Sequence, residues 1–322
     1  MDAAISLQSV SKSFGTMRAV EDLSLTVPEG GLYGFIGPNG AGKTTTIRMI
    51  MSILMPDRGR VSVLGKPSAL EAKDRVGYLP EERGVYRKMR VGAFLRYMGQ
   101  LKGLNASILP SRVRLRLERL GLADLEGKRC EELSKGTLQK VQFIAAVIHD
   151  PELLILDEPF SGLDPVSSLQ LRGLVVGEHK RGATVVLSTH VMSHAEELCE
   201  HVVMIHQGRK VLDDPVAAIR GRYDLRTIRL EPLNGAADGA SLRALSEVAD
   251  VKRIESGLEV LLAPGAETAA AMSRIAATVP SSRIQLARPT LEDVFIGIVS
   301  GTGPASTPVP GVAPGASPGV SR

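Results

Sequence analysis

The run Gly37-Pro38-Asn39-Gly40-Ala41-Gly42-Lys43-Thr44-Thr45 has the spacing G-x-x-x-x-G-K-[ST], which is chemistry for an oligophosphate. Its glycines let the backbone wrap phosphate oxygens with inward N–H groups, and the helix start that follows adds a partial positive charge. Lys43 is expected to reach the β- and γ-phosphates, and Thr44 to offer its hydroxyl to Mg2+. A second piece must hold the metal and activate water. The apolar run Leu153-Leu154-Ile155-Leu156 supplies it by carrying Asp157 and Glu158 to a strand end, where α/β sheets place their ligands. Asp157 is expected to help bind Mg2+, and Glu158 to orient or deprotonate the attacking water. A plain Gly-rich turn and an ordinary strand end are the bland alternatives; the two pieces together argue against both.

These residues need a sheet and helices to bring them together. Residues 32–36 read as a short buried strand before the loop, and a helix follows from 45 to 54 and stops at Pro56. Residues 153–156 and 183–187 read as further strands, so the chain to about residue 212 alternates strand and helix as in an α/β fold with a largely parallel sheet. Between them, about 85–150, the sequence turns helical. Val113, Leu117 and Leu120 fall at i, i+4 and i+7 before Gly121, although 113–117 also fits a period of two. Asp213-Asp214-Pro215 marks a change of character, so that 1–215 forms one domain. Beyond it, strands at 227–230, 258–262 and 284–287 alternate with helices at 241–248, 267–277 and 291–299, which predicts a small C-terminal α+β accessory domain over 222–300. Residues 301–322 hold five Gly, five Pro and one charged side chain, Arg322, and are expected to be disordered.

The 322 residues carry 39 Lys+Arg against 35 Asp+Glu, a net charge of +4, which is mild basicity rather than a nucleic-acid signature. Hydrophobic residues at 43% and charged residues at 23% exclude a fibrous or largely disordered chain. Aromatics at 3%, with no Trp, exclude a large set of base-stacking platforms. Two cysteines, Cys130 and Cys199, cannot make a disulfide scaffold, and a reduced, cytosolic chain is expected. No run reaches the roughly 18 apolar residues of a membrane span, and the first residues lack a secretory pattern, so any membrane role is expected to run through a partner. The charge is unevenly spread. Residues 83–129 hold twelve basic side chains against three acidic ones, a local charge of +9 that leaves −5 for the rest. A solvated helical face and a surface for an acidic or membrane-adjacent partner are the two readings.

Phe14, the phosphate loop, Leu133-Ser134-Lys135-Gly136-Thr137, Asp157-Glu158, Ser161-Gly162-Leu163-Asp164 and Ser188-Thr189-His190 occur in that order. On these motifs, residues 4–212 resemble the ATP-binding cassette family, the nucleotide-binding subunits of ABC transporters. The resemblance implies a P-loop NTPase cassette with a helical subdomain, ATP and Mg2+ as cofactors, and two cassettes, a homodimer or heterodimer, closing around two ATP molecules. It implies that Phe14 stacks on adenine, a strand-edge core position being the alternative. It further implies that Ser134 and Gly136 contact the nucleotide of the opposite subunit, that Asp164 couples the two sites, and that His190 contacts the γ-phosphate. His190, His194, Cys199 and His201 also allow a zinc cluster as a minor reading. Where the family usually has Gln after its Tyr-Leu-Pro strand, Tyr78-Leu79-Pro80 is followed by Glu81-Glu82, which makes Glu81 the candidate metal contact at that point. Lys135 and Thr137 stand where Gly and Gln are commonest. Together with Gln139-Lys140 and the Leu-Pro-Glu-Glu-Arg run, this signature is similar to a bacterial export branch with a separately encoded permease, as is the closing Pro289-Thr290-Leu291-Glu292-Asp293-Val294-Phe295.

The function implied is an ATP-hydrolysing subunit that drives export through a separate transmembrane permease, docked by its helical insertion at the cytoplasmic face of the cell membrane, with no nucleic-acid partner. A soluble cassette acting on ribosomes or nucleic acid is the alternative; such members generally carry two cassettes, and one phosphate loop and one signature occur here. A degenerate regulatory cassette is a third reading, against which Lys43, Asp157, Glu158 and His190 all count. Cargo contacts belong to the permease, so the sequence names no cargo.

Overall fold

The computed structural model describes residues 2–82, 84–222, 227–233, 239–254, 257–287 and 290–300. Arg83 of the basic segment, Pro289 of the closing motif and the Gly/Pro-rich 301–322 lie outside them. The chain divides into two compact units, Met1–Val216 and Ala217–Arg322.

The first unit holds two sheets. β1 (Ala3–Phe14) and β2 (Met17–Pro28) form a long hairpin, and β2 alternates buried and exposed residues from Leu23 to Val27, the pattern of a sheet with one face in water. β3 (Leu32–Ile36) leads through the phosphate loop into α1 (Lys43–Ile50), and β4 (Arg58–Val63) then pairs on the free side of β1 to give the antiparallel order β2-β1-β4. The main sheet takes β3 with β5 (Val76–Leu79), β6 (Leu153–Asp157), β7 (Thr184–Thr189), β8 (His201–His206) and β9 (Arg209–Pro215), in the order β5-β6-β7-β3-β8-β9. Only β9 runs antiparallel. Every residue of β3, β6 and β7 is buried, as expected of parallel strands covered on both faces. Ile47, Met49 and Ile50 of α1 share one core with Leu7, Leu23 and Leu25 of the small sheet and Phe35 and Ile155 of the main one. The sequence pattern had not separated the small antiparallel sheet from the parallel one.

The helical segment has a core of its own. α2 (Val91–Leu101), α3 (Leu109–Glu118) and α4 (Lys135–Val147) pack Phe94, Leu95, Val113, Leu117, Val141 and Ile144 together. In α3 the four-residue period wins over the period of two: Leu109, Val113 and Leu117 are buried while Leu115 is exposed, and Gly121 beyond its end has φ +64°. α5 (Pro165–Lys180) and α6 (Met192–Leu198) complete the unit. α1 stops four residues earlier than expected. Ser52, at φ +56°, closes it: the Ser52 N–H reaches Met49 O and the Ile53 N–H reaches Arg48 O, a Schellman stop that ends the helix before Pro56.

In the second unit, after α7 (Val216–Arg222), the elements run β10 (Thr227–Pro232), α8 (Ala240–Arg243), β11 (Val248–Ile254), β12 (Gly257–Leu262), α9 (Thr268–Thr278), β13 (Ser281–Ala287) and α10 (Leu291–Ser300). The sheet order β11-β12-β10-β13, antiparallel throughout, is the split β-α-β arrangement of ferredoxin-like folds. The expected helix at 241–248 is corrected to the single turn α8, and Val248 opens an unforeseen strand. β11 buries only Val251, so it carries no alternation that a reader of sequence could detect.

Candidate functional site

Parallel register assembles the site. Ile36 pairs with Thr189, and Asp157 with Ser188, so the ends of β3, β6 and β7 deliver the phosphate loop, Asp157-Glu158 and His190 to one edge of the sheet. The loop approaches other backbone too closely for side chains at two points. Gly37 has φ +152° and Gly42 φ +107°; a Cβ on Gly37 would lie 2.1 Å from Ile205 O, and one on Gly42 2.4 Å from Ala19 O. Gly42 then caps α1 in the left-handed conformation, which leaves the first-turn N–H groups without intrahelical acceptors.

Around this loop opens a cleft of about 660 Å³, lined by Asn39, Gly40, Ala41, Gly42, Lys43, Thr44 and Thr45, by Met17, Arg18 and Ala19 of the β1–β2 hairpin, and by Glu81, Glu158, Ser161, His190 and Gln207. Lys43 is buried and donates to Gly37 O at 2.8 Å and Pro38 O at 3.1 Å. Its ammonium lies 3.6 Å from Glu158 Oε1, and His190 Nδ1 lies 3.0 Å from the same oxygen. Glu158 itself sits at φ +47°, a costly conformation for a non-glycine residue. Two bonds hold it there: its N–H donates to Ser188 Oγ at 3.0 Å and to Ser188 O at 3.2 Å.

Asp157 is buried one residue earlier. Its Oδ1 accepts from Ser188 Oγ at 2.5 Å and from Thr44 Oγ1 at 3.3 Å. Its Oδ2 is buried with no partner. Burial pushes the Asp157 carboxyl above its ordinary range, against the two hydroxyl bonds that pull it down. Burial, with Asp157's charge next, also pushes the Tyr78 hydroxyl up to about 12.

Other expected site residues stand apart from the cleft. Phe14 is not among its lining residues; it is 44% exposed and directly opposite Met17, which lines the cleft, so it is not a core position. Ser134 caps α4, accepting from the Thr137 N–H at 3.3 Å. Gly136 is buried against α5, where an added Cβ would lie 2.4 Å from Ser167 Oγ. Asp164 caps α5 through the Ser167 N–H at 2.9 Å, and its bonds to Ser167 hold its carboxyl below the usual range. The histidines and cysteine of the minor zinc reading disperse: His194 packs edge-on to Phe160, Cys199 is buried and His201 bonds Asp213. Among the described residues no group of three or more His, Cys, Asp or Glu side chains could hold a metal. Sequence reasoning gave Ser188 no role of its own, because the strand register that puts its hydroxyl on Asp157 and Glu158 is not written in spacing. Gln139, read in the sequence only as part of the signature, is buried and donates to Pro159 O at 3.2 Å, tying α4 to the loop after β6.

Two family models match this chain: ABC transporter over residues 20–161, and the C-terminal domain of ATP-binding proteins like DrrA1-3 over 215–299. The uncharacterized ABC transporter ATP-binding protein YhaQ of Bacillus subtilis (strain 168) is 37% identical over 91% of this chain and 97% of its own length. The Nod factor export ATP-binding protein I of Burkholderia lata is 36% identical over 66% of this chain and 70% of its own. A solved ATP-binding subunit of an ABC transporter superposes with TM-score 0.63 at 30% identity, covering 68% of this chain and 92% of that one. The chain therefore belongs to the ATP-binding subunits of ABC transporters, ATPases that hydrolyse ATP to power transport. A non-transport cassette is not favoured, since the relatives are transporter subunits. Among the described residues no helix is long and apolar enough to cross a membrane.

Proposed function

We propose that this subunit binds MgATP in the cleft, hydrolyses it with Glu158 as the group that orients and deprotonates water, and works as a pair of cassettes driving export through a separate permease at the cytoplasmic face of the membrane. The observation that carries the reading is the convergence of Lys43, Asp157, Glu158 and His190 on the glycine loop. Lys43, parked on loop carbonyls, is placed to turn to a phosphate of higher charge. His190 can donate to the transferred phosphoryl group from the side of the cleft facing Glu158. The Asp157 Oδ2 without a partner and the neighbouring Thr44 hydroxyl fit Mg2+, with Glu81 on the same cleft wall as a further oxygen donor. When bound, that ion would neutralise charge on the phosphate oxygens.

Phe14 and Met17 give the base an apolar edge. Ser134 and the first-turn N–H groups of α4 face the second cassette's nucleotide in this reading, with Gly136 serving chiefly to let α4 close on α5. The export direction rests on the relatives named for Nod factor export and on the similarity of the signature to the export branch. Lys43→Ala should abolish ATP binding measured by calorimetry; unchanged affinity would overturn the assignment. Glu158→Gln should keep binding, cut turnover by about a hundredfold or more and accumulate an ATP-bound dimer on size exclusion.

A further inference from the structure

Glu158 and His190 meet at the cleft from the ends of β6 and β7, and the chain segments that follow them meet a second time. Residues 158–163 form a tight turn in which the Ser161 N–H donates to Glu158 O at 3.1 Å and the Leu163 N–H to Phe160 O at 3.3 Å. Within this turn the Phe160 side chain is buried. On the other side, β7 passes through His190 into α6 with little slack: the Val191 N–H donates to Thr189 Oγ1 at 3.0 Å and the His194 N–H to Val191 O at 3.1 Å. His194, on the first turn of α6, packs edge-on to Phe160, the ring centroids 5.3 Å apart, a favoured geometry for two flat rings. The contact of Glu158 Oε1 with His190 Nδ1 at 3.0 Å is thus one side of a closed loop of contacts whose far side is Phe160 against His194.

The far side is sensitive to charge. Arg172 of α5 lies with its guanidinium 5.7 Å from the centre of the Phe160 ring, a cation–π distance, and pairs with Glu197 of α6. The charges that reach His194 are those of Arg172 from α5, Glu197 from its own helix, and Glu158 and His190 from the cleft. His194 is half-buried, and its Nδ1 is buried with no hydrogen-bond partner among the described residues. A protonated ring would put an N–H at that atom with nothing to accept it, beside a guanidinium whose carboxylate is already engaged. The neutral ring, with its proton on Nε2, is the form that fits. Burial first, and the Arg172 charge second, hold the His194 pKa below its ordinary 6.5.

We propose that His194 is a positioning residue for hydrolysis: its neutral ring, through Phe160, holds the Glu158 turn against the His190 end of β7, and protonation of His194 loosens that hold. The proposal rests on the ATPase reading above and adds to it a residue that does not line the cleft. Glu158 needs such support because its φ of +47° persists only where the surroundings over-determine it. Ser188 fixes its N–H, Gln139 of α4 holds Pro159 O at 3.2 Å, and Phe160 anchors the turn to α5 and α6. A displacement of Glu158 by about 1 Å misplaces the attacking water, at a cost of up to about a hundredfold in rate. The glycine loop and Lys43 stay in place. Loss of the clamp is therefore read in turnover and not in nucleotide affinity.

The test is phosphate release by the full chain at saturating MgATP across about pH 5.5 to 8, with MgATP affinity measured by calorimetry on the same preparations. His194→Ala should lower kcat about tenfold or more at the alkaline end, with the dissociation constant within about twofold of wild type. His194→Phe restores an edge-on ring that cannot titrate. It should recover most of kcat at the alkaline end and lose less of it than wild type as pH falls below the ordinary histidine range. Phe160→Leu serves if the alanine variant misfolds: it should lower kcat likewise, and adding His194→Ala to it should lower kcat little further. Wild-type turnover in His194→Ala, a phenylalanine variant that rescues nothing, an acid profile in that variant identical to wild type, or full additivity in the double variant would overturn the proposal. A wild-type chain that neither binds nor hydrolyses MgATP would sink the ATPase reading itself, which separates that failure from failure of the clamp.

Discussion

Asp157 keeps a carboxyl oxygen, Oδ2, in a buried position with no protein donor, an arrangement that costs the nucleotide-free protein stability. Asp157→Asn keeps the acceptor for Ser188 and Thr44 while removing the charge. It should stabilise the nucleotide-free chain by about 1 kcal/mol in urea unfolding, yet abolish the extra stability that Mg2+ confers in the presence of ATP and lower phosphate release by about a hundredfold or more. A variant that loses stability and keeps Mg2+ dependence would show Asp157 to be structural only. His149 offers a titration at the opposite end of β6. It is buried, with Nε2 3.1 Å from Val76 O, and burial, reinforced by the charges of Lys102, Arg112 and Arg181, pushes its pKa down to about 4 from 6.5. Above pH 6.5 both folded and unfolded chains hold it neutral. As pH falls from 6.5 to 4 the unfolded chain takes up a proton that the folded one refuses, so stability drops by up to about 3 kcal/mol and levels off below pH 4. In His149→Gln that portion of the acid destabilisation should vanish from urea midpoints compared between pH 7 and pH 5.

At the scale of elements, α4 and α5 start beside each other, and the contact depends on Gly136. A methyl there would meet Ser167 Oγ at 2.4 Å, with Asp164 Oδ2 at 3.6 Å, and Ser167 is the residue whose N–H Asp164 caps. Gly136→Ala should therefore push the two helix starts apart, costing about 1–3 kcal/mol of stability from overpacking and a strained cap. ATPase activity should fall while binding of a nucleotide to a single cassette, read by calorimetry, stays near normal. Much of this layer was legible in sequence. The strands ending at Ile36 and Asp157 are unbroken apolar runs bounded by the motifs themselves, and the face of α3 follows from Val113 and Leu117. What escaped depended on partners distant in the chain. The end of α1 is set by the backbone turn at Ser52 rather than by Pro56; β11 is an edge strand with one buried side chain; the close approach of Gly136 to Ser167 of α5 is not written in the spacing of the signature. The +9 of 83–129 is a sum over the sequence, and only the fold separates arginines neutralised by Asp150 and Glu178 from those left facing outward.

On the scale of the whole molecule, all residues lining the cleft fall between Met17 and Gln207, within the first unit, whereas the second has a separate core built on Ile228, Leu230, Leu258, Val260 and Ile275. Each unit can thus unfold as its own cooperative block. Nucleotide stabilises only the block that binds it. At a hundredfold excess over its dissociation constant MgATP adds about 2.7 kcal/mol, which for a domain near 200 residues raises the midpoint by roughly 5–10 °C. Calorimetric scans of the hydrolysis-blocked Glu158→Gln chain should show one transition rising by that amount with MgATP while a smaller one stays in place. Joint movement of both would mean that the accessory unit is bound into the folding of the cassette and senses its nucleotide; a smaller transition that stays fixed makes the accessory unit an independent module, free to serve the partner rather than the cleft.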